Sequence, residues 1–196
     1  MKRSYIILGS VGALLLIGII TYISVYNKAV SLQESVGEKW GNVQSAYQRR
    51  ADLVPNLVKT VKAYAEHEKG TFTAVIEARS KATSVQIDPS KLDAQSIQKF
   101  QEAQSGLSTA LSKLMVVVEQ YPDLKANKNF LELQSQLEGT ENRIKQERDK
   151  YNEAIKEYNT HIRGFFSSML LNKETFSKRT GFQAEAGSEK APEVKF

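Results

Sequence analysis

An uncharged run from Ser4 to Asn27 constrains this chain more than any other feature. Within it, Ile6-Ile7-Leu8, Val11, Leu14-Leu15-Leu16-Ile17 and Ile19-Ile20 are nearly pure hydrocarbon. A helix of about 20 such residues covers the apolar core of a bilayer. Tyr5 near one end, and Tyr22 and Tyr26 near the other, stand where amphipathic rings favour the membrane interface. Gly9, Gly12 and Gly18 give a loose small-residue face that a membrane helix tolerates. The rival is a cleaved signal peptide, whose apolar stretch is shorter, about 7–15 residues, and ends in a small-x-small site. Ile23-Ser24-Val25-Tyr26 is a poor cleavage site. The expectation is a retained span at 5–26 behind a short tail at 1–4.

Lys2, Arg3 and the free amine favour a cytoplasmic N-terminus by the positive-inside rule. Lys28 and Lys39 partly balance them on the other side. The charge pattern therefore puts the main domain in the periplasm or outside the cell.

From Lys28 onward the pattern is helical. Phe130, Leu133, Leu137, Ile144, Tyr151, Ile155, Tyr158, Ile162, Phe165 and Met169 recur in steps of three, four and their sums, one stripe on a long helix. About 40 residues would make a rod of roughly 60 Å. Such a rod must lay its stripe against other helices. A second helix, from about Ala94 to Gln120, carries Ile97, Phe100, Leu107, Leu111, Leu114 and Val118 on one side. Tyr121-Pro122-Asp123 ends it, and Ile87-Asp88-Pro89-Ser90 forms another corner. Upstream, Tyr26 to Ser84 reads as helix, with Pro55 and Gly70 as interruptions. Either Asp52 caps a new helix with Pro55 in its first turn, or Pro55 kinks one long helix; the sequence leaves both open. The fold class is all-α: an N-terminal transmembrane helix followed by an antiparallel three- or four-helix bundle over 27–182. The tail at 183–196 is rich in Glu, Lys, Ala, Gly and Pro and is expected to be disordered.

Chemistry is sparse. The chain has no cysteine, which excludes disulfides, thiolate metal sites and cysteine catalysis. His67-Glu68 opens like a zinc-protease helix, but Thr71 stands where the second histidine belongs, and His161 is the only other one. No Gly-x-Ser-x-Gly elbow or Gly-rich phosphate loop is present. Lys and Arg are spread among Glu and Asp rather than gathered beside aromatics, so no nucleic-acid surface is expected. No cofactor, metal or small-molecule substrate is evident.

The polar residues worth following interrupt the apolar stripe. The seam passes Thr140 and Glu141, then Glu147 and Arg148. Turned inward, they must be paired, since burying a lone charge costs several kcal/mol, on the order of 3–5 when one partner is lost. Arg49, Arg50 and Asp52 lie in another amphipathic stretch and can supply partners. With Glu119 they make a candidate interhelical polar layer: Arg49, Arg50, Asp52, Glu119, Glu147 and Arg148.

Gln48-Arg49-Arg50-Ala51-Asp52-Leu53-Val54-Pro55-Asn56-Leu57-Val58 resembles the signature segment of the bacterial LemA family. Val61-Lys62-Ala63-Tyr64-Ala65-Glu66-His67-Glu68 and Glu77-Ala78-Arg79 continue it. Glu119 to Asn127 resembles a second motif. A third runs from Leu133-Gln134 through Leu137 to Ile144, Arg148-Asp149-Lys150-Tyr151-Asn152 and Tyr158-Asn159. The resemblance implies a one-pass anchor and an antiparallel bundle of four helices, without catalytic residues or cofactors. It also implies an N-terminus outside the cell, opposite to the charge-based expectation. Where the family has Phe-Pro near the end of the last helix, this chain reads Gly164-Phe165-Phe166-Ser167.

The functional expectation is a membrane-anchored, non-catalytic envelope protein, an accessory or scaffold for other membrane proteins, with a membrane protease among the partners that the resemblance implies. The alternative is a membrane-anchored signalling or sensory module. A third reading is a hydrolase using the Arg49–Asp52, Glu119 and Arg148 region.

Overall fold

The computed structural model describes residues 2–89 and 92–183, apart from the side chains of residues 2–4. The tail expected at 183–196 lies outside the described residues, save Gln183. Helices account for most of the described chain: α1 (Lys2–Lys62), α2 (Lys69–Ser84), α3 (Ala94–Val118), α4 (Pro122–Lys125), α5 (Lys128–Ile162) and α6 (Phe165–Leu170).

The apolar run and the first bundle helix are one element. α1 passes Tyr26 and Lys28 without a break and continues through Pro55. Asp52 therefore caps nothing; it lies on an exposed face in the middle of the helix. Proline removes the N–H that would have bonded the Ala51 carbonyl. In its place, Arg79 Nε from α2 donates to that carbonyl oxygen at 2.7 Å. The first helix instead ends just beyond Lys62, in a turn before α2, and Gly70 sits inside the first turn of α2.

α1, α2, α3 and α5 form a four-helix bundle. Three contacts fix the antiparallel register of α1 and α5: Tyr64 with Asn127, Arg50 with Glu141, and Val25 with His161. Side-chain caps set the starts of two helices, as the short polar residues at N-caps do generally. Asp93 accepts from the Ser96 N–H at 2.7 Å, and Asn127 accepts from the Phe130 N–H at 3.1 Å. The Ser96 bond also holds the Asp93 carboxyl below its ordinary range. Pro122 ends the preceding helix and starts the short α4, where its missing N–H is not needed.

The core divides in two. One half gathers around Trp40, whose ring meets Phe100, Tyr151 and Phe182 at centroid distances of 5.1, 5.4 and 6.0 Å. Its indole N–H donates to the Ile87 carbonyl at 3.3 Å. The other half holds Val54, Leu57, Val61, Val75, Leu107, Leu114 and Leu137. The stripe on α3 is buried as its spacing predicts. On α5 the stripe is covered from Phe130 to Ile162, but the helix stops there. Phe165 and Met169 keep the spacing yet face outward on α6, because Arg163 and Gly164 break the helix and reset its phase.

Candidate functional site

The polar residues sort by depth. Arg50 is 2 % exposed and lies between the two halves of the core. One guanidinium nitrogen reaches Ser108 Oγ at 2.8 Å and Glu141 Oε1 at 2.9 Å. The other reaches the carbonyl oxygen of Gln104 at 3.1 Å and its Oε1 at 2.7 Å. The Tyr47 ring lies 5.1 Å from the guanidinium carbon. Gln104, itself buried, passes the network on by donating to the Ala82 carbonyl at 3.1 Å. One arginine thus ties α1 to α3 and α5, and Gln104 adds α2. Thr140 closes the layer, its hydroxyl donating back to Gln136 at 2.8 Å.

Glu147 is 1 % exposed but takes its partners from its own helix. Arg143 Nε and Lys150 Nζ lie 2.9 and 3.0 Å from its Oε1. Arg148 is half-buried, its guanidinium 4.7 Å from the Phe182 ring and 3.4 Å from the Gln183 carbonyl oxygen. Arg49, Asp52 and Glu119 face outward. Arg49 borders an open groove between α1 and α5 beside Gln136 and Arg143. Asp52 accepts from Gln48 Nε2 at 2.7 Å, and Glu119 pairs with Lys125. The structure therefore joins Arg50 to Glu141, Gln104 and Ser108, and leaves Arg49, Asp52 and Glu119 apart from that network. Gln104 and Ser108 escaped the sequence reading. The signal for Gln104 was the gap between Phe100 and Leu107, where an uncharged polar residue stands on the buried side of α3.

A second polar device holds the segment after α6. That segment runs back along α5, and α5 grips its main chain with amide side chains. Asn159 donates to the Arg179 carbonyl at 2.9 Å and accepts from the Arg179 N–H at 3.0 Å. Asn152 does the same for Phe182, at 3.1 and 2.8 Å. Tyr158 and Tyr151 hydroxyls donate to the carbonyls of Ser177 and Thr180 at 3.1 and 3.3 Å. Seven helical residues rise about 10.5 Å, and three extended residues cover about 10 Å, so the two ladders match in step. Gly181 leaves room for the grip, since a Cβ there would stand 2.5 Å from Asn152 Oδ1 and push that amide aside. Burial raises the hydroxyl pKa of Tyr151 and Tyr158 above the ordinary phenol value, and nearby Arg179 pulls the other way.

The two histidines lie at opposite ends of the bundle. His67 is exposed in the turn beside Tyr64, and His161 Nε2 sits 3.0 Å from the Val25 carbonyl oxygen. Among the described residues, no three His, Cys, Asp or Glu side chains are grouped as a metal site. One described helix, α1, is long and apolar enough near the N-terminus to cross a membrane.

Several known proteins are similar to this chain over most of its length. The chain is 28 % identical to magnetosome protein MamQ 2 of Paramagnetospirillum magneticum, over 79 % of this chain and 65 % of the relative. It is 26 % identical to magnetosome protein MamQ of Magnetospirillum gryphiswaldense, over 74 % of this chain and 59 % of that protein. It is 24 % identical to protein LemA of Metamycoplasma hominis, over 83 % of this chain and 71 % of that one. The chain thus spans 65 and 59 % of the length of these magnetosome relatives. The LemA family pattern matches residues 39–196, from about three turns before the Arg50 layer, through the tyrosine–asparagine ladder and beyond, and on that match the chain belongs to the LemA family.

Proposed function

We propose that this protein is a membrane-anchored, non-catalytic accessory or scaffold, holding a rigid bundle at a bilayer surface for other envelope proteins to dock against. The observation that carries this reading is the single helix Lys2–Lys62, which enters the bundle straight from the apolar run. The buried arginine supports it: Arg50 is committed to Ser108, Gln104 and Glu141, contacts that lock helix register. Its partners in this reading are the lipid bilayer and membrane or envelope proteins, a membrane protease among them, and not nucleic acid or a small-molecule substrate. In this reading the bundle lies on the periplasmic or extracellular side, which the charges of Lys2 and Arg3 favour. Crosslinking in native membranes, followed by co-purification, tests the reading. A recurrent membrane-protein partner is expected, and a protein recovered alone under every condition sinks it. A topology reporter fused to the C-terminus tests the orientation.

The same continuous helix favours a second reading, a signalling module in which shifts of the span reach the bundle. Replacing the span by an unrelated one at constant helical phase separates the two. A scaffold keeps its function, and a relay that depends on the native span loses it.

A further inference from the structure

The membrane-proximal end of the bundle carries an apolar face that nothing in the fold covers. α5 stops at Ile162, where His161 meets the Val25 carbonyl. The chain then packs α6 against α1 and meets it again at Phe176, whose ring meets Tyr26 edge-on with centroids 5.5 Å apart. Both ends of this segment stand level with the last turn of the apolar run. Between them α6 buries Ser167, with Leu171 buried just beyond it, and turns Phe165, Phe166 and Met169 outward, 74, 60 and 72 % exposed. Those three positions share one helical face. The two phenyl rings lie 5.3 Å apart, edge to face. The other exposed large apolar residues of the bundle, such as Tyr64, Ile76, Val116 and Leu131, stand singly and far apart in sequence, which is ordinary for a protein surface. α6 itself has no charged residue; exposed Arg163 and Lys173 flank it, with Glu174 the only acidic residue between 163 and 175. Lys28 is exposed one turn above Val25. Apolar rings framed by long cationic side chains suit the boundary between acyl chains and phosphate headgroups.

We propose that α6 is an interfacial membrane helix: Phe165, Phe166 and Met169 sit in the headgroup–acyl boundary of the same bilayer that α1 crosses. The bundle then has two contacts with one leaflet, a span and a shallow foot. The proposal rests on the apolar run of α1 being embedded in lipid, and the test reads that separately. Because the chain lacks cysteine, single variants Phe166→Cys, Leu15→Cys and Lys113→Cys take a nitroxide label without further changes. The full chain is reconstituted at high dilution in phosphatidylcholine vesicles. Collision of each label with lipid-soluble oxygen and with a water-soluble nickel chelate is then measured. The expected result is a label at position 166 several-fold better protected from the chelate than at 113, and shallower than at 15. Position 166 is solvent-facing in the protein, so the core stays intact, and Met169→Cys repeats the measurement independently. If 166 matches 113 while 15 remains in lipid, α6 faces water and the proposal is overturned with the span intact. If 15 is also exposed to the chelate, both fall. Spin–spin broadening between labels at 166 would mean that a second copy covers the face, and would equally overturn the lipid assignment.

Discussion

Pro55 lies inside α1 without ending it, and the contact that accounts for this can be measured. Ala51 is buried, so its carbonyl, deprived of the N–H that a proline lacks, would carry a penalty of about 1–3 kcal/mol if left unpaired. Arg79 Nε supplies the missing donor at 2.7 Å. The same guanidinium lies 4.0 Å from the exposed Asp52 carboxylate, a pair that adds about 1 kcal/mol at most. Arg79→Ala is therefore expected to cost about 2–3 kcal/mol in the native background. In a Pro55→Ala background, the restored N–H at residue 55 takes the Ala51 carbonyl. The same Arg79→Ala change then loses only the exposed ion pair, about 1 kcal/mol or less. The coupling between the two sites comes to about 1–2 kcal/mol. Pro55→Ala alone is expected to stabilise the bundle, since a proline in a helix interior costs about 3 kcal/mol. Urea unfolding of the four proteins in mild detergent, followed by far-ultraviolet circular dichroism at unchanged slope, reads the cycle. If Arg79→Ala costs the same in both backgrounds, within about 0.5 kcal/mol, the carbonyl account is wrong.

The adjacent arginines offer an internal control: Arg50→Met should cost about 3 kcal/mol by stripping buried Gln104 of its partner, while Arg49→Met stays within about 0.5 kcal/mol, both by urea unfolding. Gly181→Ala places a methyl 2.5 Å from Asn152 Oδ1 and should cost about 1–3 kcal/mol, read most directly as faster hydrogen exchange at the Phe182 N–H. Tyr47, Tyr151 and Tyr158 all have phenol pKa values raised chiefly by burial, so the folded state keeps protons that the unfolded state gives up. Their contribution to stability is complete below the unfolded value of about 10 and fades as pH climbs through the folded values. The denaturation midpoint should therefore drop above about pH 10 together with a late rise in tyrosinate absorbance, whereas a tyrosinate signal that saturates near the ordinary pKa with no loss of structure would contradict it.

The apolar run, the stripes on α3 and most of α5, and the proline corners were legible because each is a local pattern with a short-range cause. Pro55 was not, because the donor that lets the helix continue sits on α2, in a residue the stripe pattern treats as surface. The periodicity of α5 misled beyond Ile162: a run of threes and fours carries its phase across a joint such as Arg163-Gly164 as if no joint existed. Arg50 was found as a charge in an amphipathic stretch, yet its main partners are the uncharged Gln104 and Ser108, which a search for opposite charges passes over. The segment held by Asn152 and Asn159 has no period at all. Buried Phe182 is held by Asn152 through main-chain groups, as Arg179 is by Asn159, and no side-chain pattern announces such bonds.

The unbroken passage of α1 from its apolar run into the bundle has a geometric consequence. With no swivel between the two, the bearing and height of each outward-facing side chain of α1 relative to the apolar run are set by residue count, about 100° and 1.5 Å for every position. One residue added or lost near Lys28 would swing the whole flank by more than a quarter-circle. A partner that grips the apolar run of α1 therefore always finds the same flank of the bundle beside it.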